Sequence, residues 1–113
     1  MQTGESMEEG FKVIDGYLMV KLPEEIDHHQ VSSISKNVDQ ALVAGKANSV
    51  VFDFENTRFM DSSGIGLIAG RYKKASLFHG KVYAVNVDRH IKRILYMSGL
   101  DKMIEMVDNS KAE

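Results

Sequence analysis

Between Phe11 and Leu22 apolar and polar residues alternate on either side of Asp15-Gly16, a dipeptide suited to the positive φ of a tight turn. The pattern predicts a β-hairpin, Phe11 to Asp15 against Tyr17 to Leu22, which Pro23 ends because proline has no N–H to give to a sheet. The period then changes. From Asp27 to Ala44 the apolar positions Val31, Ile34, Val38, Ala41 and Leu42 recur at helical spacing, and Gly45 supplies a left-handed stop. Ser49 to Phe54 is a β-branched and aromatic run, too short for a helix, and reads as a buried strand. A second helix is expected to open at Ser62 or Ser63, carry Ile65, Ile68, Tyr72, Ala75 and Phe78 on its inner face, and end at Gly80. Lys81 to Val87 reads as a strand. Asp88 is placed to cap a short third helix, with Ile91, Ile94 and Leu95 inward, that ends near Ser98-Gly99. Met103 to Val107 fits a strand or a helix equally well.

Helices alternating with strands after an initial hairpin predict an α/β fold: a mixed, mostly parallel sheet with an antiparallel N-terminal hairpin and crossover helices packed on it. A chain of 113 residues fits one such domain. Its expected extent is residues 11–107, with 1–10 a flexible, acidic extension and 108–113 a frayed tail. In sheets of this kind functional groups gather outside the carboxyl ends of the strands. The loop from Glu55 to Asp61 leaves one of those ends.

Composition narrows the function. Fourteen Lys plus Arg against sixteen Asp plus Glu leave a formal charge of -2, without the basic excess of a domain that grips a phosphate backbone, so no direct nucleic-acid partner is expected. The absence of Cys removes disulfides, thiolate chemistry and the common structural zinc sites. No apolar run approaches the roughly 20 residues that span a bilayer, and the first ten residues lack the basic start and apolar core of a signal peptide. The expectation is a cytoplasmic protein with no membrane contact.

The candidate chemistry centres on Asp61-Ser62-Ser63-Gly64-Ile65-Gly66, where a loop following a strand opens a helix. A hydroxyl there lies beside unpaired backbone N–H groups and the positive end of the helix dipole, and can serve as a cap, a nucleophile or a phosphate acceptor. Gly64 to Ala69 also matches the G-x-G-x-x-A form of a dinucleotide fingerprint. That fingerprint needs its first glycine in the turn directly after the strand, whereas here Asn56 to Ser63 intervene and Asp61 stands where an anion would dock. The plainer reading is that Gly64 and Gly66 let the helix start pack closely. A hydrolase triad with His28-His29 lacks the G-x-S-x-G elbow. A metal site on Asp27, His28 and His29 fails because neighbouring helical residues point about 100° apart. Capping by Asp27 with a solvated histidine pair is expected instead, and no metal or cofactor. His79 and His90 read as lone surface residues, and Arg71-Tyr72-Lys73-Lys74 as a basic face. Met60 and Met97 are candidates for exposure at a contact surface. With Asp61, Ser62 and Ser63 all competent to cap one helix, at least one hydroxyl is spare.

Glu25-Ile26-Asp27-His28-His29, Phe59-Met60-Asp61-Ser62-Ser63-Gly64-Ile65-Gly66, Gly70-Arg71-Tyr72-Lys73 and Met97-Ser98-Gly99-Leu100 resemble, in order and spacing, the anti-anti-sigma factors of the STAS domain family, and among them the branch that antagonises anti-sigma F. The resemblance runs from about Phe11 to Val107. It implies the STAS fold and a non-enzymatic regulator that works by partner switching in sporulation. In the family an unphosphorylated antagonist binds an anti-sigma factor that is also a serine kinase and frees the sigma factor for transcription. The kinase then phosphorylates the first serine of the D-S-S-G block, here Ser62, and a PP2C-type phosphatase reverses it. The residues carried over to partner binding are Asp27, Asp61, Ser62, Ser63, Gly64 and Ile65. Pro23-Glu24-Glu25 departs from the family's usual Gly-Glu, so a different turn leads into Asp27. The competing classes are a small-ligand or nucleotide-binding module using Gly64 to Ala69, and a STAS regulator of a partner other than a sigma system.

Overall fold

In the computed structural model, which describes residues 4–6 and 9–107, the order of elements follows the sequence pattern closely. Strand β1 is Gly4–Ser6, β2 Phe11–Ile14, β3 Tyr17–Lys21, β4 Glu25–Ile26, β5 Ser49–Asp53, β6 Phe59–Met60, β7 Val82–Val85 and β8 Glu105–Met106. Helix α1 is His28–Val43, α2 Ser62–Leu77 and α3 Arg89–Met97, and a single 3-10 turn covers Leu100–Lys102. The main sheet has the order β1-β2-β3-β5-β7-β8. The pairs β1–β2 and β2–β3 are antiparallel, and β3–β5, β5–β7 and β7–β8 are parallel.

The expected hairpin forms as read: Asp15 and Gly16 both take positive φ, +51° and +85°, as the tightest right-twisting turn requires. Each crossover after β3 moves the chain one or more strands in the same direction, so α1, α2 and α3 all lie on one face. That face carries Leu18, Val20, Val50, Phe52, Val82 and Ala84, all buried. Over it pack Ile34, Val38, Ala41 and Leu42 of α1, Leu67, Ile68 and Ala75 of α2, and Ile91 and Leu95 of α3, in one continuous core. Leu100 and Ile104 close its end. The segment that fitted two states, Met103 to Val107, contains β8.

Several expectations shift. Phe78 is the C-cap of α2 and stays exposed, because the helix ends one residue before it; Leu67, near the other end of the helix, is buried in addition to the expected positions. The left-handed residue at that end is His79, φ +62°, and not Gly80. Gly80 serves a different purpose: its Cα backs directly onto the carbonyl of Asn48, leaving no room for a side chain. Met60 is buried, whereas Met97 is 80% exposed. Arg71 does not join a basic face; its Nε lies 3.1 Å from Asp39 Oδ1 and ties α2 to α1, though the N–H is not aimed for a hydrogen bond. Within the segment expected to be a flexible extension, Gly4–Ser6 pairs with β2 as an edge strand. The tail 108–113 lies outside the described residues.

Candidate functional site

A second, two-stranded parallel sheet organises the site. Glu25 pairs with Phe59 and Ile26 with Met60, and the next residue of each strand, Asp27 and Asp61, is a helix N-cap. The two loops are stitched together by backbone and hydroxyl bonds. Thr57, fully buried, donates to the Pro23 carbonyl at 2.8 Å, and the Arg58 and Phe59 N–H groups donate to the Glu24 carbonyl at 2.8 and 3.2 Å. The Pro23-Glu24-Glu25 turn therefore anchors the site and delivers Asp27 beside Asp61. Their helices start side by side, and the positive ends of both dipoles converge there.

Each aspartate is occupied. Asp27 Oδ1 accepts from the His29 N–H at 2.9 Å, and Gln30 reaches back to the Asp27 N–H, completing a capping box. Asp61 Oδ1 accepts from the Ser63 N–H at 2.8 Å. Asp88 caps α3 in the same way through the Ile91 N–H, also at 2.8 Å. All three helices thus open at the carboxyl edge of the sheet behind an aspartate, and a shallow bowl between them is lined by Glu25, Asp27, Phe59, Asp61 and His90. His28 and His29 are exposed with rings 5.9 Å apart, a solvated pair as expected.

Ser62 is the first residue of α2, exposed, and its hydroxyl makes no hydrogen bond among the described residues. Because Asp61 does the capping, the hydroxyls of Ser62 and Ser63 are both spare, and that of Ser62 is the exposed one. It is also not held by a base, so nothing activates it as a nucleophile. Ser63 is half-buried, its N–H taken by Asp61. Gly64 is buried, and a β-carbon there would press on the Met60 side chain and come within 3.2 Å of Ile26 Cγ2. Close packing is therefore Gly64's role. Gly66 and Gly70 have open space around them, so the packing reading does not extend to Gly66. Ile65 is half-buried against the core. A pyrophosphate would find no bare turn here: Gly64 is covered by Met60, and the Ser63 and Gly64 N–H groups are already bonded to Asp61.

Spacing alone brought out Asp27, Asp61 and Ser62 but not Glu25, Phe59 or His90. Phe59 is 57% exposed, an aromatic left in solvent beside the two caps. The available signal was the repetition of a strand followed by an aspartate cap, which predicts that all three helix starts share one edge.

A family model described as the STAS domain matches residues 11–113. The anti-sigma F factor antagonist of Paenibacillus polymyxa is 37% identical over 94 residues, covering 83% of this chain and 80% of that protein. Among solved structures, the anti-sigma factor antagonist SpoIIAA in its unphosphorylated form superposes with a TM-score of 0.71 at 25% identity, over 93% of this chain and 86% of the other. The Bacillus cell fate determinant SpoIIAA in the phosphorylated form superposes with a TM-score of 0.70 at 28% identity, over 88% and 90% respectively.

Proposed function

The chain belongs to the STAS domain family, and we propose that it is an anti-sigma factor antagonist switched off by phosphorylation of Ser62. The observation that carries the reading is the idle hydroxyl. Ser62 sits exposed at the mouth of α2 while Asp61 performs the structural task, so a phosphoryl group can be added and removed there without dismantling the helix start. Phosphorylation adds about -1.5 to -2 charge, favoured by the dipole of α2 yet set beside Asp61, Asp27 and Glu25. The fold accommodates it because the site is exposed. A partner that must desolvate the same surface does not.

In this reading the anti-sigma factor is a serine kinase that docks on Asp27, Asp61, Ser62, Ser63, Gly64 and Ile65, with Phe59 as an apolar anchor and open Gly66 allowing close approach along α2. A PP2C-type phosphatase resets the switch. The chain itself is not an enzyme, needs no cofactor, and acts in the cytoplasm without contacting DNA or membrane. Among the described residues no helix is long and apolar enough to cross a membrane. The likeness to anti-sigma F antagonists favours a sporulation role over a stress role.

Titrating the chain into a preformed complex of the anti-sigma and sigma factors from the same genome tests this. Release of the sigma factor at one chain per binding site is expected. An intact complex at saturating chain would assign the same surface to a regulator of some other partner.

A further inference from the structure

The face of the main sheet turned away from the helices is apolar at its centre and nothing among the described residues covers it. Its middle row runs across five strands in continuous register: Lys12 opposite Met19, Met19 opposite Val51, Val51 opposite Tyr83, and Tyr83 opposite Glu105. From β2 to β8 the row therefore reads cation, apolar, apolar, apolar, anion, symmetric about Val51, and beyond Lys12 the register continues to Ser6 of β1. Ile14 and Tyr17 flank it on one side, Val85 and Val107 on the other, and together they line an open groove. Tyr17 meets Tyr83 edge-on at 5.9 Å and remains 42% exposed, as Val107 is 46% exposed. Val51 is buried by its neighbours yet belongs to no part of the core beneath the helices.

We infer that this face binds a second copy of the chain about a two-fold axis running along β5. Rotation about that axis sets Val51 on Val51 once, at the axis, and Met19 on Tyr83 and Lys12 opposite Glu105 twice each. The charges of this row are what select a second copy: opposite signs equally spaced from an apolar centre are complementary to themselves, the condition an isologous interface imposes, while Lys21 and Asp53 at the carboxyl edge of the face lie 4.0 Å apart within one chain. Glu105 lies 3.8 Å from Lys81 within its own chain and stays at the surface. Five strands at about 4.8 Å spacing and about four residues at 3.3 Å give a patch of roughly 300 Å², well under half of what a standard interface buries on each partner. Association is accordingly weak and reversible. An axis along the strands keeps both carboxyl edges at the same pole, so the dimer presents two Ser62 sites in one direction, each on its own outer helical layer.

Sedimentation equilibrium of the full chain from micromolar to millimolar concentration tests the assignment. The expected result is a reversible monomer–dimer equilibrium that Lys12→Glu weakens by about tenfold or more, since two symmetric attractions become repulsions. Glu105→Lys should do the same, and Lys12→Glu with Glu105→Lys should restore association. Both positions are exposed, so folding is unaffected. A chain monomeric at millimolar concentration overturns the inference, as does a dimer that neither single substitution weakens or that the double substitution fails to restore.

Discussion

Ser62→Asp weakens binding to the anti-sigma partner by at least about tenfold, or 1.4 kcal/mol, while the chain melts close to wild type. The two halves of this expectation rest on different physics. Binding buries the mouth of α2, and a permanent carboxylate there must be desolvated beside Asp61, a cost of several kcal/mol. Folding buries little at Ser62, which is exposed and whose hydroxyl makes no hydrogen bond among the described residues, and an acidic residue in the first turn of a helix is favourably placed. Asp61 remains the cap in the variant, so the first turn keeps its partner. Ser62→Ala is the complementary case. It removes a hydroxyl without structural bonds, so stability should change by less than about 0.5 kcal/mol. Binding should persist, and ATP should no longer release the complex. Calorimetric titration of the three proteins against one partner preparation separates the cases; equal affinities would place Ser62 outside the interface.

Gly80→Ala should destabilise the fold by about 3 kcal/mol or more, a large share of the 5–15 kcal/mol typical of a domain. Its β-carbon would overlap the carbonyl carbon and oxygen of Asn48 and stand 3.2 Å from the Ser49 N–H. These are backbone atoms, which no rotamer change can move aside. Relief means displacing the start of β5 from the entry to β7, and there the Lys81 N–H donates to Ser49 Oγ at 3.0 Å and the Val50 N–H to the Lys81 carbonyl at 2.9 Å. The strain thus falls at the centre of the sheet. Gly66→Ala should do the reverse and raise stability by about 0.5–1 kcal/mol, since its surroundings are open and alanine is the better helix former. Thermal melts measured together should place Gly80→Ala more than about 10 °C below wild type and Gly66→Ala above it. A Gly80→Ala protein that melts with wild type would mean that the close approach to Asn48 is relieved at no cost.

Long periodic segments were legible in the sequence for physical reasons. Helix α1 buries a stripe at every third or fourth residue, and the hairpin is declared by Asp15-Gly16, whose positive φ values few other pairs tolerate. The strands β4 and β6 were not legible, because two residues carry no period and their pairing joins positions 34 apart. The adjacency of Asp27 and Asp61 follows from that pairing, so spacing alone could not bring them together; the family resemblance did. Strand β1 lies in a polar stretch with no alternation to mark it. Phe78 was assigned inward by extending the period of α2 one residue beyond the point where the chain leaves the helix. His90 reached the bowl only because Asp88 starts α3 at the same edge, a consequence of topology and not of anything near His90 in sequence.

The idle hydroxyl of Ser62 is the centre of the functional reading, and its fate in the presence of the anti-sigma kinase is the direct test. The chain is incubated with its cognate kinase and ATP, its intact mass is measured, and the modified peptide is sequenced by fragmentation. One phosphate on Ser62 is the expected result, with Ser63 unmodified because it is half-buried where Ser62 is exposed. Phosphate on Ser63, or no phosphate from a kinase that demonstrably binds the chain, would contradict it.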